Sequence, residues 1–285
     1  MKNSGMNSRK TYPVVLSIAG SDSSGGAGIQ ADVKTFASLG VYGATAITAI
    51  TAQNTQGVHS QLAITPQMVY DQIVAVVDDL HPSVVKIGML ANVDVVTAVA
   101  EALGRYSLSI ILDPVIVSST GHQLLSLDAL DALKQRLLPM SMLVTPNIPE
   151  IEALTGHPIS SYHDKEQAAL TLLGYGARAV LLKGGHEDGD QKSDILFINS
   201  QSRIETLTFT SETITTRNTH GTGCTLSSAI AAFMVRGCDM VEAIREAKSY
   251  VTEAIRSGAY VEIGGGIGPV NHGFNPRKML VYDDR

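Results

Sequence analysis

The sequence has little charge, few cysteines and no long apolar run, and each of these shortages excludes a class of protein. Its 285 residues carry 21 Lys plus Arg against 27 Asp plus Glu, and this net charge of −6 argues against a nucleic-acid or anionic-membrane surface. Two cysteines, Cys224 and Cys238, are too few for a disulfide framework, and no CxxC or HxxxH pair suggests a zinc site. The longest apolar run, 229–235, falls far short of the roughly 18 residues of a membrane-spanning helix. We therefore expect a cytoplasmic protein that binds neither nucleic acid nor membrane.

The order of apolar segments predicts an α/β fold. Hydrophobic residues make up 44% of the chain and charged residues only 17%, which predicts a substantial packed core. Short apolar runs bounded by glycine or proline alternate with helical patterns, as in βαβ units around a parallel sheet. The predicted strands are 14–19, 44–49, 84–87, 110–112, 142–144 and 179–182. The predicted helices are 27–39, 66–78, 93–105, 127–138, 164–174, 223–235 and 241–256.

A pair of strands near 193–199 and 203–209 interrupts this alternation and predicts a small hairpin. The sequence shows no internal repeat and no long linker. One domain spanning residues 13–274, with polar tails at 1–12 and 275–285, is the simplest organisation.

Polar residues and glycine loops follow the predicted strands. The first strand leads into the glycine-rich segment 20–28, and later strands end near Lys86, Asp113, Asn147 and Lys183. Because ligands of open α/β sheets bind beyond the carboxyl ends of the strands, these groups should converge on one edge. Lysines, carboxylates and glycine loops on one edge are what a phosphate-handling site requires.

The first glycine loop fits neither common nucleotide motif. Gly26, Gly28 and Ala31 match the spacing of a dinucleotide-binding fingerprint, but residues 33–70 contain no acidic residue to hold the ribose. A phosphate-binding P-loop fails because Gly26 stands where that motif needs lysine. Alone, the loop indicates only that the backbone approaches something closely.

The second glycine loop, 218–224, leads directly into a helix that is apolar or small on nearly every face. A buried helix of this kind leaves its first N–H groups without a solvent partner, so they can bind an anion with help from the helix dipole. The alternative is an ordinary glycine turn before a core helix. Cys224 lies in the first turn, where the dipole and nearby cations can lower a thiol pKa and make the thiolate a proton acceptor. Its alternative role is that of a small buried residue.

These segments together resemble a known family. VVLSIAGSDSSGGAGIQADVKTF, TAQNTQGV, VKIGML, LDPVIVSSTG, TPNIPEIEAL, LLKGGH, NTHGTGCTLSSAIAA and IGGGIGPVNH are similar to the hydroxymethylpyrimidine kinase/phosphomethylpyrimidine kinase family of thiamine biosynthesis, in the ribokinase-like superfamily. The resemblance runs from Val14 to His272 in family order. It implies a three-layer α/β/α sandwich with a mostly parallel sheet, ATP and Mg²⁺, two successive phosphoryl transfers to a pyrimidine, and a homodimer.

The same resemblance assigns roles at the phosphate end of the site. The backbone amides of residues 221–224 would form the anion hole, and Cys224 would be the catalytic base where sugar-phosphorylating relatives usually have an aspartate. Lys183 would face phosphate, whereas Lys86 could equally be a snorkelling or salt-bridged lysine. The residues implied for this end are Gly221, Thr222, Gly223 and Cys224 for catalysis, Asn147, Lys183 and His220 for ATP, and Asp113 and Glu150 for the metal.

Several of these residues keep a structural alternative. A negative charge after Pro149 favours a helix N-terminus, so Glu150 could serve the helix rather than the metal. A small hard cation held by few carboxylates and several waters nevertheless fits the sparse acid set. His220 could orient residues 221–224, which we call the anion loop, or be a buried core histidine.

For the pyrimidine, the resemblance points to Gln53 and the first loop. A side-chain amide offers one donor group and one acceptor, which matches an aminopyrimidine edge. Gly20, Ala27 and Asp32 would line the same pocket, and Met89 would form an apolar wall against the ring. Asp32 could equally belong to a core network.

Three other functions remain open from the sequence. The nearest is a pyridoxine or pyridoxal kinase on the same fold, because its substrate also carries hydroxymethyl groups on a flat heteroaromatic ring. A sugar kinase is disfavoured because the anion loop ends in Cys224. A non-catalytic nucleotide- or vitamin-binding regulator is disfavoured because every expected phosphate and metal group is present.

Overall fold

A nine-stranded sheet forms the centre of the protein in the computed structural model, which describes residues 10–118, 121–185, 189–200 and 203–283. The strand order is β10-β9-β8-β7-β6-β5-β2-β3-β4. All neighbours from β3 to β8 are parallel, and the edge strands β4, β9 and β10 are antiparallel. The sheet strands are β2 (Val14–Asp22), β3 (Tyr42–Asn54), β4 (Gly57–Ala63), β5 (Val84–Ile87), β6 (Ser109–Leu112), β7 (Ser141–Val144), β8 (Ala179–Leu182), β9 (Gln191–Ser200) and β10 (Arg203–Glu212).

Helices cover both faces of this sheet. The helices are α1 (Gly28–Ser38), α2 (Pro66–Leu80), α3 (Val93–Leu103), α4 (Ala129–Ala132), α5 (Ile148–Thr155), α6 (Tyr162–Gly174), α7 (Thr222–Val235) and α8 (Met240–Gly258). Side chains of α2 to α6 join one hydrophobic core, and side chains of α1, α7 and α8 join the other.

The strands supply both cores because successive side chains of a strand point to opposite faces. In β2, Leu16 and Ile18 belong to the first core while Val15 belongs to the second. Ile110 and Ile111 of β6 divide in the same way. The predicted three-layer α/β/α architecture with a mostly parallel sheet is therefore confirmed.

The structure differs from the sequence prediction in three elements. The helix predicted at 127–138 is a single α-helical turn, α4, that continues as a π-helix (Leu133–Leu137) and a 3₁₀-helix (Leu138–Met140). β4 and α5 were not predicted as separate elements. β3 runs on to Asn54 and turns back through Thr55 and Gln56 into β4, and this antiparallel edge carries Gln53.

The segments predicted as tails meet at the edge of the fold. β1 (Lys10–Thr11) pairs antiparallel with β11 (Tyr282–Asp283). The backbone N–H groups of Arg277 and Leu280 donate to the carbonyls of Ser38 and Gly40. The single-domain boundary at 13–274 stays a prediction. No helix among the described residues is long and apolar enough to span a membrane.

Candidate active site

A cavity of about 660 Å³ opens at the carboxyl edge of the parallel strands and reaches the start of α7. The predicted site residues that line it are Gly20, Ala27, Gln53, Met89, Asp113, Asn147, Glu150, Lys183, His220, Gly221, Thr222, Gly223 and Cys224. The convergence expected from the strand ends is thus found. Asp32 alone of the predicted set lies below the cavity, fully buried.

The anion loop is held against the first glycine loop by close backbone packing. Gly221 has a φ of 80°, and a Cβ placed on it would overlap with the carbonyl group of Gly26. Thr222 donates its N–H to the carbonyl of Thr219 at 3.2 Å, and that amide is engaged. The N–H groups of Gly223 and Cys224 have no acceptor among the described residues. These two amides, at the N-terminus of a buried helix, are suited to receive an anion.

Cys224 is half-buried at the first turn of α7 and faces the cavity. Burial, together with the carboxylates of Asp32 and Asp113, raises the pKa of its thiol to about 11. The ammonium of Lys86 and a hydrogen bond from the backbone of Gly28 act in the opposite direction without cancelling the rise. The expected lowering of this pKa is therefore wrong. The group is a thiol at neutral pH.

A lysine bridges two carboxylates at the phosphate end of the cavity. Lys183 Nζ lies 2.8 Å from Asp113 Oδ1 and 3.7 Å from Glu150 Oε2. Thr145 Oγ1 donates to Asp113 Oδ1 at 3.1 Å, and Ser227 Oγ donates to Asp113 Oδ2 at 3.3 Å. Burial would raise the pKa of Asp113, but Lys183 and these donors hold it below its usual value. The phosphate end therefore has one firmly ionised carboxylate.

Glu150 also closes the N-terminus of α5. Asn147 Oδ1 accepts the Glu150 N–H at 2.9 Å, and Glu150 Oε2 accepts the Asn147 N–H at 2.8 Å, which is a capping box. Burial raises the pKa of Glu150 to about 7 against the opposing effect of Lys183, and Asp113 adds to the rise. Glu150 therefore caps the N-terminus of α5, and the same carboxylate also lines the cavity.

The oxygen donors at this end are few. Among the described residues no group of three or more His, Cys, Asp and Glu side chains is placed to enclose a metal ion. Asp113 and Glu150 are joined through Lys183, and both line the cavity. Mg²⁺ usually takes one or two carboxylates and completes its shell with water and phosphate oxygens, so this donor set fits that ion.

A buried ion pair supports the floor of the cavity. Lys86 Nζ of β5 lies 2.9 Å from both carboxylate oxygens of Asp32 in α1, and both side chains are fully buried. Ser17 and Ser228 each donate to this carboxylate at 2.6 Å. A Cβ on Gly88 would lie 2.9 Å from Lys86 Nζ, so the backbone beside this lysine has room only for glycine. The predicted substrate contact of Asp32 stays a prediction, and the cavity-lining member of the pair is Lys86.

At the other end of the cavity, three polar side chains meet. His220 Nε2 lies 2.8 Å from Asp22 Oδ2 and 3.4 Å from Gln53 Nε2. Asp22 also accepts the N–H groups of Ser24, Gly26 and Ala27. Burial alone would raise the pKa of Asp22, but the hydrogen bonds from His220 and the loop lower it to about 2. The ionised carboxylate of Asp22 therefore links the first glycine loop to His220, which directly precedes the anion loop.

An apolar wall lies beside Gln53. Met89 packs with Ala49, Ala91 and Leu124 in a small buried cluster. A Cβ on Gly20 would lie 2.7 Å from Met89 Sδ, so this thioether reaches the backbone of the first loop. The predicted wall and the predicted loop therefore form one pocket.

The sequence reasoning missed two cavity-lining groups. Asp22 was not singled out, although an aspartate two residues before a serine in a glycine-rich loop is an Asx-turn pattern. Lys248 of α8 donates to Asp194 Oδ2 at 2.6 Å, and Asp194 Oδ1 accepts the Gly184 N–H. No local pattern links residues 54 positions apart in this way.

Three comparisons relate the chain to known proteins. A family model described as Phosphomethylpyrimidine kinase matches residues 22–271. Hydroxymethylpyrimidine/phosphomethylpyrimidine kinase of Escherichia coli (strain K12) is 46% identical over 259 residues, which is 90% of this chain and 96% of that relative. The crystal structure of phosphomethylpyrimidine kinase from Clostridium difficile 630 is 40% identical with a TM-score of 0.73, over 85% of this chain and 99% of that one.

A second kind of kinase has the same fold. Pyridoxal kinase from Staphylococcus aureus, in complex with AMP-PCP and pyridoxal, is 30% identical with a TM-score of 0.83. The match covers 95% of this chain and 98% of that one. These neighbours confirm the predicted ribokinase-like fold.

Proposed function

Because the chain belongs to the phosphomethylpyrimidine kinase family, we propose that its cavity transfers the γ-phosphoryl group of ATP to 4-amino-5-hydroxymethyl-2-methylpyrimidine and then to the resulting monophosphate, in thiamine biosynthesis. The protein is a phosphotransferase. The observation that carries the proposal is the cavity itself. A pocket that contains the Gln53 amide lies at one end, and a lysine–carboxylate cluster lies at the other. Between them lie the backbone amides of the anion loop and the Cys224 thiol, at the start of α7.

In the first transfer, Cys224 accepts the proton of the substrate's hydroxymethyl group. The oxygen of that hydroxymethyl group attacks the γ-phosphorus of ATP, and ADP leaves. The amides of residues 221–224 hold the transferring group, and among the described residues those of Gly221, Gly223 and Cys224 have no protein acceptor. Since the thiol pKa is raised to about 11, the active thiolate is a minor species at neutral pH but a strong base. The second transfer starts from an ionised phosphate and needs no such base.

Four residues serve the nucleotide phosphates and the metal: Lys183 and Asn147 bind the phosphates, and Asp113 and Glu150 would hold the metal. The Staphylococcus aureus relative holds the nucleotide analogue AMP-PCP, which supports ATP as the co-substrate here. Asp113 and Glu150 would hold Mg²⁺, and the ion when bound supplies neutralisation of phosphate charge. Lys183 leaves the carboxylates to meet phosphate, and His220 holds the anion loop to the first loop.

The pyrimidine lies against Gln53, with Gly20, Ala27 and Met89 around it. The amide of Gln53 pairs with the ring nitrogen and the exocyclic amine, and Met89 supports the ring face. We assign Asp32 the indirect role of holding Lys86 in the cavity floor. Asp32 then supports the substrate pocket from below the cavity, through Lys86.

A second candidate is the phosphorylation of pyridoxal or pyridoxine. The similarity to the Staphylococcus aureus pyridoxal kinase favours it. The pyrimidine remains the better substrate because its ring nitrogen N3 and adjacent 4-amino group match the neighbouring donor and acceptor of the Gln53 amide, and pyridoxal has no amine beside its ring nitrogen. A non-catalytic regulator that binds nucleotide or vitamin is the remote alternative, and Mg²⁺-dependent ADP release would exclude it.

The deciding experiment measures ADP release with ATP and Mg²⁺, offering hydroxymethylpyrimidine, its monophosphate, pyridoxine and ribose in parallel. We expect turnover of both pyrimidines and weak turnover of pyridoxine. Turnover of pyridoxine with an inert pyrimidine monophosphate would instead identify a vitamin B6 kinase. Omitting Mg²⁺ should abolish all transfer.

Our proposal also includes the assembly and surroundings of the enzyme. We propose a homodimer, a cytoplasmic location and no nucleic-acid or membrane partner, supported by the low positive charge and by the family resemblance. Light scattering at several concentrations tests the dimer.

A further inference from the structure

The hydrogen bonds around Gln53 determine which way its amide can face. Its backbone is fixed by Ser23, whose hydroxyl accepts the Gln53 N–H at 2.9 Å and donates to the Gln53 carbonyl at 2.8 Å. The side chain then lies between two neighbours, with His220 Nε2 on one side and Thr51 Oγ1 on the other. A rotation of 180° about the terminal bond exchanges the amide oxygen and nitrogen.

His220 requires that Gln53 present a hydrogen-bond acceptor to it. His220 Nε2 is 2.8 Å from the carboxylate of Asp22, which can only accept, so Nε2 carries a proton in either charge state. A nitrogen that donates to Asp22 cannot accept from a second N–H. The structure has Gln53 Nε2, a donor, 3.4 Å from this nitrogen and Oε1 beside Thr51, so the amide must be turned by 180° for Oε1 to face His220.

Thr51 requires that Gln53 present a hydrogen-bond donor to it. Thr51 Oγ1 lies 2.9 Å from the carbonyl of Ser21 and 3.2 Å from Gln53 Oε1, but its single proton can serve only one of these acceptors. We assign the proton to the shorter contact, with Ser21. What remains on this hydroxyl is an acceptor, which suits Nε2 of Gln53. The two neighbours thus demand the same orientation of the amide independently.

We infer that the Asp22–His220 pair fixes the direction of the Gln53 amide, with Oε1 toward His220 and Nε2 toward Thr51, and thereby selects the orientation of the bound pyrimidine. This rests on the proposed function. In the substrate, the ring nitrogen N3, the 4-amino group and the 5-hydroxymethyl group follow one another along one edge. N3 pairs with Nε2, the amine donates to Oε1, and the hydroxymethyl group lies beyond the amine.

This orientation directs the reacting group to the anion loop. The hydroxymethyl group emerges on the side of His220, the residue that directly precedes Gly221. The reverse amide would exchange the two contacts and turn the hydroxymethyl group toward Thr51. His220 and Asp22 are accordingly positioning residues. The 4-amino group of the substrate depends on them because it donates to Gln53 Oε1, which they hold in place.

The test compares 4-amino-5-hydroxymethyl-2-methylpyrimidine with the analogue that lacks the 4-amino group, measuring kcat and KM for each. The wild type should prefer the amino compound by at least about 100-fold in kcat/KM. His220→Leu removes the donor and should reduce this preference at least about tenfold, while His220→Gln, which supplies an N–H, restores part of it. Thr51→Val, which removes the acceptor with little change of shape, should also reduce the preference. His59→Leu, at an exposed site on β4, serves as the control.

An effect on the anion loop alone would lower kcat for both compounds by the same factor and leave their ratio unchanged. An unchanged ratio in both His220→Leu and Thr51→Val overturns the inference. If the wild type turns over neither pyrimidine, the proposed function fails instead, and the two failures are distinguishable.

Discussion

At the scale of single residues, the protonation of Cys224 decides how the first transfer depends on pH. Only the thiolate can accept the substrate proton, and its fraction rises tenfold per pH unit below the pKa of about 11. We expect log(kcat/KM) for the first transfer to rise with a slope near 1 from neutral pH upward. The second transfer should lack this dependence, and ADP release from the monophosphate measures it.

Substitution of the same residue separates a base from a structural cysteine. Cys224→Ser keeps the size of the side chain but offers no base of comparable strength. It should lower the first transfer by about 10²- to 10⁴-fold, as for a lost general base, and the second transfer far less. Equal losses in the two steps, or full activity of the serine variant, would show that Cys224 only fills space.

At the scale of elements, the buried pair Asp32–Lys86 joins α1 to β5, and Ser228 ties α7 to the same carboxylate. Lys86→Met leaves Asp32 charged and buried, so it should lower the free energy of unfolding by about 3 to 5 kcal/mol. Adding Asp32→Asn removes the unpaired charge, and the double variant should be more stable than Lys86→Met alone. Urea unfolding of the wild type, Lys86→Met, Asp32→Asn and the double variant measures this coupling.

The exposed pair Arg203–Glu205 on β10 provides the control, because surface ion pairs contribute little. Arg203→Ala should leave the urea midpoint unchanged. If Lys86→Met is equally harmless, the buried pair does not hold these three elements together.

The approach of the two glycine loops is a second property of elements. Gly221→Ala adds a Cβ that overlaps with the Gly26 carbonyl and forces the loops apart. Both transfers should fall at least about 100-fold, since a small misplacement of reacting groups has effects of this size.

Gly156 gives a matched control for this substitution. It also has a positive φ, 76°, but a Cβ there meets nothing within 4 Å. Gly156→Ala should lower stability by about 1 kcal/mol through backbone strain alone and leave activity intact. Comparable activity of the two alanine variants would show that the loops need not touch.

At the scale of the whole molecule, two buried groups give stability opposite dependences on pH. Burial lowers the pKa of His272 to about 4, with Lys34 and His220 adding to the effect. Between pH 4 and 6.5 the unfolded state then binds more protons, so stability rises with pH. The pKa of Glu150 is raised to about 7, so between pH 4.5 and 7 the folded state binds more protons and stability falls with pH.

The two effects are each roughly 3 kcal/mol when summed over their windows and oppose one another in the wild type. Glu150→Gln should therefore expose a rise in stability from pH 4.5 to 6.5. His272→Leu should expose a fall from pH 4.5 to 7. Urea unfolding at half-unit intervals measures both, and parallel curves for the two variants would contradict the assignment.

The layered fold and most of the residues of the site can be predicted from local patterns along the chain. Strand periodicity, glycine punctuation and the polar residues after strands such as β6 and β8 are local properties, so the convergence of Asp113 and Lys183 followed from the parallel sheet alone. The NxxE pattern of Asn147 and Glu150 likewise contains its own capping geometry.

The interactions between these groups depend on contacts between residues that are far apart along the chain. Lys86 meets Asp32 across 54 positions, and His220 meets Asp22 across 198. No local pattern specifies such distances. The protonation of Cys224 also required the structure, because burial and two carboxylates raise its pKa while Lys86 and a hydrogen bond from the backbone of Gly28 lower it. The sign of that sum depends on depth and separation, which the order of residues along a chain does not contain.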